Sequence, residues 1–175
     1  MQDDTMWSNI FKHTQKKEKS TISVLKKVPI FMDLNSRELR AMERILHRRT
    51  YNDGEVVFNE NEPGAGMYII ESGKVFIKVG KAEKVLAVLS NGDFFGEMAL
   101  LLESPRTASA VAVGSLKMLG FFQPDLFHLM ETNPKTGNKI LRQLAKMIAE
   151  RLRQTTLENS ELKNQISKYE ANSDE

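Results

Sequence analysis

Apolar and polar positions along this 175-residue chain follow three successive rhythms. Residues 1–22 are polar and Lys-rich, with Trp7, Ile10 and Phe11 at i, i+3 and i+4. That spacing predicts a short amphipathic helix that tucks its apolar trio onto the main domain; the same pattern also suits a membrane surface or a docking partner. Pro29, Ile30 and Phe31 then lead into a stripe of Leu39, Met42, Ile45 and Leu46, capped by Asn35 or Ser36, which predicts a helix over 35–47.

From residue 48 to 122 the period shortens. Glycines at 54, 64, 66, 73, 80, 92, 96, 114 and 120 separate short β-branched or aromatic runs: 56–58, 67–70, 75–79, 85–89, 108–113 and 116–122. Runs of this length between turn residues predict antiparallel strands closing into a sandwich or barrel. Gly96 to Leu102 is the exception, a turn or two of helix inside the β region. Residues 123–131 return to helical spacing, with Pro124 near the start and Pro134 ending the helix. A long helix follows from about Lys135 to about Tyr169. Its apolar positions step by 4 and 3: Leu141, Ile148, Thr155, Leu162 and Tyr169 at d, Ala145, Leu152, Asn159 and Ile166 at a. A single a-position Asn with Leu at d is the pattern of a parallel two-stranded coiled coil, and Glu158 at g can meet Lys163 at e of a second copy. Leu144 and Met147 widen the apolar face near the helix start, so that part is expected to pack on the β domain while the distal part pairs with a second chain.

Composition narrows the function. With 41% hydrophobic and 27% charged residues the chain is globular. It has no cysteine, which excludes disulfides, thiolate metal sites and a cysteine nucleophile. No apolar run approaches the roughly 20 residues of a membrane span, and the acidic, polar N-terminus is not a signal peptide, so a cytoplasmic protein is expected. Charge is segregated. Residues 1–50 carry 11 Lys/Arg against 6 Asp/Glu, residues 51–134 carry 6 against 11, and residues 135–175 carry 8 against 6. The acidic middle argues against a nucleic-acid face there, and any anion held in it must be captured by local groups. His13, His47 and His128 lack metal-ligand spacing, and there is no phosphate-binding P-loop or nucleophile elbow. No enzyme and no cofactor are expected.

One stretch does carry chemistry. Gly96 opens the short helical segment, where free amides and a missing Cβ suit an anion. Arg106 follows Pro105 at a strand start, a placement suited to bidentate phosphate binding. Glu97 fits a sugar hydroxyl beside that phosphate. The same spacing equally suits a structural Arg106–Glu97 salt bridge.

The run Phe95-Gly96-Glu97-Met98-Ala99-Leu100, then four residues, then Pro105-Arg106-Thr107-Ala108-Ser109 resembles the phosphate-binding cassette of the cyclic nucleotide-binding domain family. That family includes the catabolite activator protein, kinase regulatory subunits and cation channels. Residues 53–58 and 62–75 also resemble its opening strands and turns, and the likeness extends over about residues 29–150. The resemblance implies a mainly β, α+β fold: an antiparallel β-roll of about eight strands, jelly-roll-like, with flanking helices and a long C-terminal helix. It implies that Gly96, Glu97, Met98 and Ala99 meet the ribose and phosphate of cAMP or cGMP, with Glu97 on the 2′-hydroxyl. Arg106 would pair with the cyclic phosphate, beside Thr107 and Ala108. Thr107 lies where members contact phosphate or a guanine amino group, which leaves the nucleotide open. Arg142, Gln143 and Lys146 are expected to reach the base.

The implied layout is a polar segment at 1–28, the nucleotide-binding roll at 29–134, and a lid and dimerisation helix at 135–175. The catabolite activator branch continues into a DNA-reading helix-turn-helix, for which no room is expected here before Glu175. The expected function is a cyclic nucleotide sensor, a parallel homodimer signalling to an unknown protein effector through its C-terminal helix, without direct DNA binding. The alternative is a scaffold protein whose roll is independent of nucleotide.

Overall fold

The structure, a computed structural model, describes residues 21–173, and their side chains as far as residue 166. The segment around Trp7, Ile10 and Phe11 and the side chain of Tyr169 lie outside the described residues.

Helix α1 (Ser36–Ile45) starts where the sequence offers its own cap. Asn35 Oδ1 accepts the amides of Arg37 and Glu38, both at 2.9 Å, and Glu38 Oε2 accepts the Asn35 amide at 2.7 Å. Such a reciprocal cap is worth about 1 kcal/mol. Leu39 and Met42 are fully buried on its inner face. The helix ends when Leu46 turns extended, and β1 (His47–Tyr51) begins at once, which shortens the expected helix by two residues.

The remaining strands are β2 (Val56–Phe58), β3 (Gly66–Val79), β4 (Lys84–Leu89), β5 (Phe94–Phe95) and β6 (Ser109–Phe122). All pairings are antiparallel. β6 is bonded to β1, β2 and β3, and β3 also carries β4 and β5. The described residues thus hold six strands where about eight were expected. The difference lies at Gly73 (φ +106°) and Gly114 (φ +68°), where β3 and β6 bend without ending. The register between them runs from Gly66↔Phe122 to Lys78↔Ser109 and slips between Ile70 and Lys74. Irregular pairing of this kind sharpens the twist and rolls the sheet up.

Strand periodicity then sorts the side chains into two cores. Met67, Ile69, Leu119 and Phe121 pack under the helices with Ile30, Phe31, Leu39, Met42, Leu126, Ile140 and Leu144. Their alternate neighbours Ile70, Val75, Ala112, Leu116 and Met118 fill the roll with Phe95, Phe58 and Tyr68.

Helix α2 spans Gln123–Thr132, and the Phe122 amide donates to Asp125 Oδ2 at 3.0 Å at its start. Pro134 does not terminate it. Thr132 does, and Pro134 becomes the first residue of α3 (Pro134–Ser173). Proline is favoured there because its missing N–H is one the helix leaves unpaired anyway. The root of α3 is buried through Thr136, Ile140, Gln143 and Leu144. It is tied down by Lys139 Nζ to Glu38 at 2.8 Å and by Arg142 Nη2 to Asp33 Oδ2 at 2.7 Å. From residue 148 to 166 every described side chain is exposed, including Ile148, Leu152, Leu162 and Ile166. The helix therefore has two apolar faces, one spent on its own domain and one uncovered. No helix among the described residues is long and apolar enough to cross a membrane.

Candidate functional site

β5 hands the chain to Gly96, whose φ of +75° is a left-handed conformation that L side chains rarely adopt. A 3-10 turn follows over Glu97–Leu100. Ala99 and Leu100 are buried beneath it and fix it to the core, while Met98 stays 41% exposed on the outside. The turn forms one wall of a cleft of about 320 Å³, within the range of small-molecule sites.

Arg106 forms the floor. Its backbone is clamped to the 59–63 loop: its amide donates to Glu62 O and its carbonyl accepts from Asn61 N, both at 2.8 Å. The side chain is only 8% exposed. Its Nη1 donates to Gly96 O at 3.3 Å, and its Cζ lies 4.1 Å from the centre of the Phe58 ring. Its Nε is buried without an acceptor. Burial pulls the guanidinium pKa down from its ordinary value, and Tyr68, Glu62 and Glu97 pull the other way without forming an ion pair with it. A buried cation with a spare donor and no paired carboxylate among the described residues is costly unless an anion completes it.

Glu97 is not that anion. Its nearly buried carboxylate (5% exposed) pairs through Oε1 with Arg151 Nη1, from α3. The salt bridge between Arg106 and Glu97 that the spacing allowed is therefore absent. The two groups serve different partners and leave Glu97 Oε2 without a bond among the described residues.

All seven residues singled out in the sequence, Gly96, Glu97, Met98, Ala99, Arg106, Thr107 and Ala108, line this one cleft. The sequence reading missed the opposite side, where Ile77, Leu86, Ala87 and Leu89 of the β3–β4 hairpin supply an apolar wall. It also missed Arg151 and placed the helix contribution too early. Arg142 and Gln143 both donate to Asp33 Oδ2, at 2.7 and 2.6 Å, and none of Arg142, Gln143 and Lys146 lines the cleft. Positions 143, 147 and 151 share one helix face at i, i+4 and i+8, so the cleft is reached two turns further along. The available signal was that stripe continued past Met147. Among the described residues no cluster of His, Cys, Asp or Glu is arranged to hold a metal ion.

The charged side chains lining the cleft are Glu97, Arg106 and Arg151, a formal excess of one positive charge in an otherwise acidic stretch. One monoanion balances it.

Comparison with known proteins agrees with this geometry. A family described as "Cyclic nucleotide-binding domain" matches residues 48–133. The chain is 36% identical over 137 residues to the cyclic AMP receptor protein of Thermus thermophilus, covering 77% of this chain and 62% of that protein. It is 37% identical over 118 residues to the cAMP-dependent protein kinase regulatory subunit of Yarrowia lipolytica, covering 63% of this chain and 32% of that one. The chain thus spans less than two thirds of the length of either relative. In three dimensions it resembles the N-terminal domain of a Streptomyces coelicolor transcriptional regulator, with a TM-score of 0.67 and 29% identity over 75% of this chain and 94% of the other.

Proposed function

Residues 48–133 belong to the cyclic nucleotide-binding domain family, and from that premise we propose that the chain is a non-catalytic sensor of cyclic AMP, acting in the cytoplasm. The observation that carries the reading is Arg106: a buried guanidinium with an orphan donor, no carboxylate partner, and a place on the floor of a cleft of ligand size. The phosphate engages Arg106, with Thr107 and Ala108 at its side. The ribose 2′-hydroxyl donates to Glu97 Oε2 beside the Gly96–Ala99 turn, and the base lies against the apolar hairpin wall. The excess of one positive charge suits a cyclic phosphodiester, a monoanion, better than a phosphomonoester that approaches two negative charges. The names of the relatives favour adenine. Thr107 lines the cleft and leaves cyclic GMP as the competitor to test.

Arg151 gives the site its output. Glu97 is held by a residue of α3, so a ligand that draws Glu97 toward its ribose also acts on the helix. A ligand shifts this equilibrium only by its different affinity for the two helix positions. The exposed stripe of α3 takes a second copy of the chain, giving a parallel homodimer whose helix spacing responds to the site and is read by a protein effector. The working division is a polar segment at 1–28, the roll at 29–134 and the lid and dimer helix at 135–175.

The test is a thermal melt of the full chain with cyclic AMP, cyclic GMP and 5′-AMP. Ligand at 100 times its Kd adds about 2.7 kcal/mol, a shift of several degrees. The expected result is a shift with cyclic AMP that 5′-AMP does not reproduce. Equal shifts with 5′-AMP overturn the charge argument, and no shift with any of them returns the chain to the scaffold reading.

A further inference from the structure

The guanidinium of Arg106 sits in a slot, and the slot has an unusual floor. It is not a carboxylate but the face of Phe58, 4.1 Å from Cζ. Phe58 comes from β2, 48 positions earlier in the chain. It is itself held by aromatic neighbours: the Tyr68 ring at 6.0 Å and the Phe95 ring at 5.8 Å, which stack on each other at 5.7 Å. The sides of the slot are two glycines. A Cβ on Gly96 would stand 2.6 Å from Nη1, and one on Gly64 would stand 3.4 Å from Nε and 2.8 Å from the Ala99 methyl. Any other residue at position 96 collides with the guanidinium, and any other at 64 crowds the turn.

A planar cation lying over a ring offers a ligand the N–H groups along its edges. Nη1 is already engaged with Gly96 O. The donors left without an acceptor are Nε and Nη2, which form one edge of the guanidinium with parallel N–H bonds, suited to two oxygens of one phosphodiester. A carboxylate in place of Phe58 would neutralise the charge and compete with the ligand for those donors. An aliphatic side chain would leave the cation unsupported and free to rotate. The aromatic face does neither: it favours the cation electrostatically and takes up none of its donors.

We infer that Phe58 is a positioning residue of the anion site, the floor that sets the plane of Arg106 and with it the affinity for phosphate. The inference rests on the cyclic nucleotide reading of the cleft for its ligand, but not for the geometry it asserts.

The test has two arms on the full chain. Without any ligand, the Arg106 Nε–H proton resonance should be displaced upfield by the Phe58 ring current and return toward the ordinary arginine position in Phe58→Leu. An undisplaced resonance in the parent overturns the inference, and that measurement needs no variant to fold. With cyclic AMP as the probe, Phe58→Leu should bind about fivefold to tenfold more weakly, the size of a partly desolvated cation–ring contact. Phe58→Tyr, which keeps the ring face, should stay within about twofold of the parent. A purely packing role predicts no such rescue, so equal losses in the Leu and Tyr variants, or none in the Leu variant, overturn the inference. If the parent itself fails to bind cyclic AMP, the functional reading falls while the resonance arm still decides the role of Phe58.

Discussion

Replacing Arg106 by Met should barely change the stability of the free protein and should remove its response to ligand. The guanidinium is 8% exposed, so an ordinary buried-residue argument would predict heavy damage. Its inventory says otherwise. The unpaired Nε costs about 1–3 kcal/mol. The Phe58 face returns about 0.5–2 kcal/mol, and the bond to Gly96 O, long at 3.3 Å, returns about 1 kcal/mol. These contributions cancel to within about 1–2 kcal/mol. Met keeps most of the apolar stem and is flexible enough to fill the slot. For a chain of this size 1 kcal/mol moves the melting midpoint by about 2–4 °C, so free Arg106→Met should melt within about 8 °C of the parent. Binding is different. Two charge-assisted hydrogen bonds at about 1.5–3 kcal/mol each place the affinity loss at no less than about 100-fold. At a cyclic AMP concentration 100 times the parent Kd, the parent gains about 2.7 kcal/mol and the variant about 0.4 kcal/mol or less. Differential scanning fluorimetry of both proteins, with and without cyclic AMP, reads all four numbers. A drop above about 10 °C in the free variant would show that Arg106 is a structural residue. A ligand shift equal to that of the parent would show that the anion binds elsewhere.

Gly96→Ala adds a Cβ at φ +75° and 2.6 Å from Arg106 Nη1; it should cost about 1–2 kcal/mol in urea melts and weaken cyclic AMP binding in titration, and unchanged affinity would refute the slot. Asp33 has its pKa held below the ordinary 3.8 first by the Arg142 hydrogen bond and then by that of Gln143. A lowered folded pKa gives stability that is present above the unfolded value and lost as pH falls through the folded one. Asp33→Asn should therefore melt below the parent near neutral pH, with the gap closing once the pH drops below that range; a gap independent of pH would mean that the carboxylate charge is idle. Leu152 and Leu162 are 66% and 55% exposed, and the double variant Leu152→Asp/Leu162→Asp should convert a dimer of about 40 kDa into the 19.9 kDa chain in light scattering, whereas a monomeric parent would refute the helix pairing.

Features that depend on a few consecutive residues were legible in the chain. The Asn35–Glu38 cap, the stripe of α1, and the cassette from Gly96 to Ala108 were of this kind, because helix caps, left-handed glycines and short turns are local. Long strands were legible in their runs but not in their count. Gly73 and Gly114 look like strand ends in sequence and are bends in β3 and β6, since a glycine permits both and only the pairing across the sheet selects one. β1 is His-Arg-Arg-Thr-Tyr, with no alternation to announce it; its first residue reads as the end of a helix and the other four fall outside the named strand runs. It is a strand because β6 offers it a hydrogen-bonding edge.

The site divides along the same line. The residue types proposed to meet an anion and a sugar are set by sequence: Gly96 for close approach, Glu97 as acceptor, Arg106 as donor. What those groups face was decided by the tertiary structure. Spacing alone left Arg106 and Glu97 free to neutralise each other. The fold instead brings Arg151, 54 positions away, to Glu97 and lays Phe58 under Arg106. Charges within ten residues of each other have several partners within reach, and which pair forms depends on what the packed strands and the root of α3 bring alongside. That choice turns two opposite charges, which could have made an inert salt bridge, into a cleft with one positive charge to spare.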